Sequence, residues 1–143
     1  MTIDEKVRRV AENALPEWTF VFDNWDDADR TISKAPLPAV IQLLPFGGTL
    51  TERNGRQRNS QEFSVAFVDK AQKDADGDDQ SEVYSRMVQA AAKFQKALNA
   101  SGWFEPVTDV RYTVIYMQLS SIITGVYIDV TLTELDWRCD ERL

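Results

Sequence analysis

The chain contains no histidine, one cysteine, six glycines and five prolines among its 143 residues. The missing histidine excludes most. There can be no Ser-His-Asp or Cys-His nucleophile, no imidazole acid or base, and no histidine metal ligand, which leaves carboxylates, Lys, Tyr and one thiol for any chemistry. Cys139 cannot form an internal disulfide. The opening residues are charged rather than apolar, so a reducing cytoplasm is the expected compartment. Long hydrophobic runs are also lacking. The longest, such as "PAVIQLLPFGG", fall well short of the ~20 residues of a membrane helix, so a soluble protein without a membrane partner is expected. Basic residues are the minority, 16 Lys and Arg against 23 Asp and Glu, for a formal charge of -7. Such a surface opposes tight phosphate binding and makes nucleic-acid readout a poor expectation.

What is present spells a single α+β domain over residues 1–143, of a length that can bury one core without staples. Residues 2 to 14 read as a short amphipathic helix. Thr2 and Glu5 fit a capping box, and Ile3, Val7, Val10 and Ala14 form a stripe expected to pack on a sheet or on a neighbouring subunit. "EWTFVFDNW" alternates like a half-buried strand, with Trp18, Phe20 and Phe22 on one face. "LPAVIQLLPFGG" reads as a short buried strand entering a turn at Gly47 and Gly48.

"TLTERNGRQRNSQEFSVAFVDK" is a hairpin whose tip, Asn54-Gly55, suits a type I′ turn, and whose second arm turns Phe63, Val65 and Phe67 inward. Around the tip Glu52, Arg53, Arg56 and Arg58 leave no apolar side, so this end should project into solvent. It is either a charged end that resists edge-to-edge aggregation or an arm between subunits. A long helix follows over residues 80 to 100. Val83, Met87, Ala90, Ala91, Phe94 and Leu98 make its buried stripe, Lys93 and Lys96 lie near its end and Gly102 stops it.

The last third gives two strands. In "DVRYTVIYMQLS" both faces are apolar, which suggests a central strand. In "GVYIDVTLTEL" Val126, Ile128, Val130 and Leu132 oppose a wetter face, and residues 120 to 125 supply the link. The expected architecture is therefore a mainly antiparallel sheet packed with one long and one short helix, plus a projecting hairpin.

Two acidic stretches look like chemistry. In "DKAQKDADGDDQSE", Asp74, Asp76 and Asp78 alternate like calcium ligands. Taking Asp74 as the first position of an EF-hand loop puts Asp79 where glycine belongs, and taking Gly77 as the sixth puts Gln72 first and Val83 last, so both registers fail. The stretch reads better as helix entry, with Asp79 as cap, Glu82 completing a capping box and Gly77 in a tight turn. "FDNWDDADR" gathers Asp23, Asp26, Asp27 and Asp29 without a fixed spacing and reads as a polar loop. Gly47-Gly48 lack the lysine and helix start of a phosphate loop. No catalytic, metal or cofactor-binding set is expected, and no enzyme.

The layout as a whole resembles the tail-terminator and related neck proteins of long-tailed bacteriophages and prophages. The stretches that carry the likeness are "PAVIQLLPFGGTLTERNGR", "FSVAFVDKAQKDADG", "VYSRMVQAAAKFQKALN" and "TGVYIDVTLTE", which together span most of the chain. The resemblance implies a structural protein that assembles into a ring, usually a hexamer, on the last ring of the tail tube and offers a surface to the head. Its partners would be further copies of itself, the tail tube and the head-completion proteins, with DNA only as passing cargo. It also implies that Arg53, Asn54, Gly55, Arg56 and Arg58 of the hairpin, and Asp74, Asp76 and Asp78 of the acidic loop, make ring or tube contacts. The other expectation is a stand-alone binding module or a small enzyme built on carboxylates.

Overall fold

The computed structural model describes residues 1–24, 27–28, 37–71, 76–118 and 122–142. Two helices, α1 (Ile3–Ala14) and α2 (Gly77–Ala100), lie against a six-stranded sheet of β1 (Thr19–Phe22), β2 (Ala39–Gln42), β3 (Gly47–Arg53), β4 (Arg56–Lys70), β5 (Tyr112–Gln118) and β6 (Ile122–Thr133). The order across the sheet is β1-β2-β4-β6-β5, and β3 continues beside β4 on the β2 side. Only β1 and β2 pair in parallel; every other ladder is antiparallel. This is the α+β arrangement that the sequence implies.

The core follows from the alternation of β4. Phe63, Val65 and Phe67 face the helices and join Val126, Ile128, Val130 and Leu132 of β6, Met87, Phe94 and Leu98 of α2 and Val7 and Val10 of α1 in one buried cluster. The rings of Phe67 and Phe94 are tilted at 5.6 Å between centroids, a favourable aromatic contact. Ala66 and Val68, on the other face, join Val21, Ala39, Ile41 and Ile123 in a smaller cluster. The middle of the sheet is thus covered on both sides, and Val21, which alternation assigns to the wetter face of β1, is buried there.

Thr2 and Glu5 form the capping box of α1, through Glu5 N–H to Thr2 Oγ1 at 3.2 Å and Thr2 N–H to Glu5 Oε2 at 3.3 Å. The stripe of α1 packs chiefly against α2 and reaches β1 at its margin. α2 starts three residues earlier than its apolar period suggests. Its N-cap is Asp76, which accepts from Asp79 N–H at 2.9 Å, while Asp79 Oδ2 accepts from Asp76 N–H at 3.4 Å. Asp79 is therefore the third helical residue rather than the cap, and Gly77 is the first rather than part of a turn. Asp79 and Glu82 offer the same spacing, and the earlier frame wins because it adds another turn of helix. The last turn holds no basic residue, so Lys93 and Lys96 sit too early to serve the terminal carbonyls. Ser101 Oγ donates to Leu98 O at 2.7 Å instead, and Gly102 takes φ +77° beyond it.

Gly47, Gly48 and Gly125, all expected in turns, lie in strands. Gly48 belongs to β3, where a Cβ would come within 2.5 Å of Ser60 O; Gly125 belongs to β6, where it would come within 2.0 Å of Phe67 O. Each allows a backbone approach that any side chain would block. β5, expected at the centre, is an edge strand: it pairs with β6 alone, and Tyr112, Val114 and Tyr116 are exposed. Among the described residues no helix is long and apolar enough to cross a membrane.

Candidate interaction surface

The Asn54-Gly55 turn has φ +53° and +77°, the left-handed pair that a type I′ turn requires. β3 and β4 stay in register up to it, with Leu50 opposite Asn59, Thr51 opposite Arg58 and Arg53 opposite Arg56. β6 leaves β4 at the Ser60 and Thr133 pair. Past that point the hairpin is two-stranded, and about four residues of each arm, about 13 Å, extend beyond the sheet.

Directly opposed residues of an antiparallel ladder share a face, so Arg53, Arg56 and Arg58 point to one side of this arm together with Thr51. They line a shallow cleft of about 620 Å³ with Asn54. Like charges facing each other across a ladder destabilise it. The Arg53 and Arg56 pair is thus a cost to the hairpin, borne in a chain that has few basic residues to place. Arg58 forms an ion pair with Glu105. Among the described residues Arg53 and Arg56 have no ion-pair partner. On the other flank of the arm, residues 135–141 run beside Gly55, Arg56 and Arg58 and bring Asp136, Asp140 and Glu141 near. There the Arg142 side chain donates to Asp140 and holds its carboxyl below the usual range.

The acidic candidates lie at the other end of the molecule. β4 runs from Arg56 to Lys70 over 15 residues, a span on the order of 45 Å. Arg86, in the third turn of α2, donates to Asp69 at 3.2 Å and ties the N-terminal half of the helix to that far end of β4. Asp76, Asp78 and Asp79 form the exposed first turn there. Asp74 lies outside the described residues, as do Trp25, Asp26 and Asp29 of the second acidic stretch. Asp23 and Asp27 are described: Asn24 N–H donates to Asp23 Oδ1, and Asn24 Nδ2 donates to Asp27 Oδ2, as in an ordinary polar turn. The structure therefore separates the candidate residues into a basic group and an acidic group rather than gathering them at one site.

Among the described residues no group of three or more carboxylates and thiols is placed to hold a metal ion. Among the described residues the carboxyl raised by its surroundings is Asp4, through burial, partly countered by the hydrogen bond that Gln42 Nε2 donates at 3.2 Å. It lies in the first turn of α1. Cys139 is exposed.

Sequence reasoning missed a second surface. Phe46 and Leu50 at one edge of the sheet, and Tyr112, Val114 and Tyr116 at the opposite edge, stand out in solvent. The alternation in "FGGTLTE" holds the signal for Leu50, since it sets Gly48 and Leu50 on one face. No signal in "YTVIY" reveals that nothing covers it. No protein-family model and no curated protein matches this sequence.

Proposed function

We propose that this chain is a structural assembly protein of the phage or prophage type, resembling a tail terminator: a ring, of hexameric kind, set between the tail tube and the head-completion proteins. It carries no catalytic role. It acts in the host cytoplasm during assembly and afterwards in the virion tail or neck. The observation that supports this best is the opposition of charge between its two ends: Arg53 and Arg56 at the hairpin tip, without an ion-pair partner among the described residues, and the carboxylates of Asp76, Asp78 and Asp79 at the start of α2. A connector meets a different partner on each side, and ends of opposite charge tell those partners apart while steering each to its own face. The net charge of -7 further suits a lumen through which DNA slides without sticking.

Native mass spectrometry and electron microscopy of the full chain test the reading. A closed ring is the expected species, and a monomer at every concentration overturns it. Replacing residues 51–58 by Asn-Gly shortens the hairpin without changing register, because Leu50 and Asn59 already face each other. That variant should keep its melting temperature and lose binding to a tail-tube ring. Unchanged tube binding removes the hairpin from the contact.

A further inference from the structure

Besides the four-residue edge β1, the sheet has two open seven-residue edges at diagonally opposite corners, β3 and β5. β3 pairs with β4 alone and β5 with β6 alone, so among the described residues each leaves one row of backbone N–H and C=O groups without a strand beside it. Such edges are templates for another chain, and proteins that must stay apart blunt them with charge, proline or a bulge. Away from the charged tip at Glu52 and Arg53, these two carry apolar side chains. Phe46 and Leu50 are 65% and 73% exposed, and Tyr112, Val114 and Tyr116 are 53%, 47% and 44% exposed.

Leu50, Tyr112, Val114 and Tyr116 belong to one face. Leu50 is opposite Asn59, which shares the period of Phe63 on β4; Phe63 is opposite Val130, and Tyr112 and Val114 are opposite Ile128 and Val126 on the same period of β6. Phe46 precedes β3, and its N–H donates at 3.1 Å to the O of Glu62, the residue that Gly47 also opposes, so it sits at a bulge outside this alternation. The stripes lie on the helix side, beyond the reach of α1 and α2. Strand direction fits as well. β3 and β6 both oppose β4, and β5 opposes β6, so β3 and β5 run in opposite senses. A second copy moved sideways across the sheet, with the same face up, presents its β3 antiparallel to the first copy's β5.

We propose that β5 of one copy pairs with β3 of the next, so that the sheet runs on from subunit to subunit. Matching the faces requires Leu50 to oppose an even-numbered residue of β5, and charge chooses among these. Leu50 opposite Val114 would set Arg53 against Arg111. Leu50 opposite Tyr112 sets Arg53 against Asp109 and Gly48 against Val114, joining opposite charges and apolar to aromatic at Leu50 and Tyr112. Because each copy offers two different edges, the contact is heterologous and propagates into a ring or a helix. The edges are offset by about 30 Å along the strands, which tilts them as closed sheets require. This pairing rests on the self-association in the ring reading and not on its phage setting.

The test is cysteine cross-linking in the full chain with Cys139→Ser. Opposed residues bring their Cβ atoms within about 5 Å, close to disulfide reach. Leu50→Cys and Tyr112→Cys, prepared as separate variants and mixed, should cross-link with each other and neither with itself. The variant carrying both should give a ladder on non-reducing gels. Tyr116→Lys, at an exposed position that leaves folding intact, should weaken self-association by about tenfold or more. Oligomers that form with no cross-link at Leu50 and Tyr112 or at Thr49 and Thr113, and that tolerate Tyr116→Lys, overturn the strand pairing and leave the ring reading standing. A monomer under all conditions overturns both.

Discussion

β4 is one strand with two halves of opposite character. From 63 to 68 it runs between two layers, with Phe63, Val65 and Phe67 against the helices and Ala66 and Val68 against the smaller cluster. From 56 to 59 the strand, paired among the described residues with β3 alone, continues into solvent and carries Arg56, Gln57, Arg58 and Asn59. The buried half is bonded to a strand on each side. It also has a layer above and below that the exposed half lacks. The buried half draws its stability from area removed from water, whereas a two-stranded ribbon alone is marginal in water and has to be anchored by the rest of its sheet. The buried half builds the protein, and the exposed half is free to be shaped by what it meets.

The sharpest way to break this contrast is to truncate one large side chain in each region. Phe67→Ala, in a fully buried site touching Phe94, should cost about 3 to 5 kcal/mol in denaturant unfolding. Leu50→Ala on the arm should stay within about 0.5 kcal/mol for the monomer. Comparable losses would mean that the arm belongs to the core.

The glycines repeat the comparison at lower amplitude. A methyl at Gly125 meets Phe67 O at 2.0 Å and Val68 Cα at 2.9 Å, between strands bonded on both sides that cannot part. Gly125→Ala should cost about 1 to 3 kcal/mol or more. At Gly48 the nearest atom, Ser60 O, is at 2.5 Å, but β3 has no strand on its outer side and can move away. Gly48→Ala should cost clearly less, as paired thermal melts would show. The reverse order would mean that the arm is the more rigid part.

Most of the fold can be read from the sequence because periodicity reports local burial. The stripe of α2, the inward face of β4, the wetter face of β6 and the Asn54-Gly55 tip all follow from spacing alone. Three features do not, and each depends on what lies across the sheet. Gly48 and Gly125 look like turn residues because glycine breaks strands, while their actual role is set by carbonyls of β4 that no neighbouring residue announces. β5 looks central because "TVIYM" is apolar on both faces; an edge covered by something outside the monomer leaves the same pattern. For the candidate site, the arginines and the aspartates are each visible as clusters. That they stand at opposite ends of the molecule is a product of the 15-residue length of β4.

The start of α2 tests how finely spacing can be read. Asp76 and Asp79, or Asp79 and Glu82, both satisfy the three-residue interval of a capping box, and the hydrogen bonds select the first. Asp76→Ala should destabilise by about 1 kcal/mol. Glu82→Ala, a turn into the helix, should change stability by no more than a few tenths of a kcal/mol, the scale of a surface charge near the positive end of the dipole. A larger loss from Glu82→Ala in chemical denaturation would move the cap back to Asp79.

The smallest expected effect concerns Asp4, an acid whose burial raises its pKa while Gln42 and Glu5 pull in opposite senses. A carboxyl that holds its proton more tightly when folded leaves the native state with more bound protons than the unfolded chain between the two pKa values. Stability therefore falls as pH rises from about 3.8, the ordinary value, through the raised one, and stays lowered above it. Asp4→Asn removes that slope. Its amide keeps an oxygen for Gln42 Nε2 and offers a donor to Gln42 Oε1, which has no partner among the described residues. The melting temperature of the variant relative to the parent should thus climb with pH through this window and level off beyond it, whatever its offset at the acid end. A relative stability that drops over the same window would place the carboxylate, not the acid, as the form that the fold prefers.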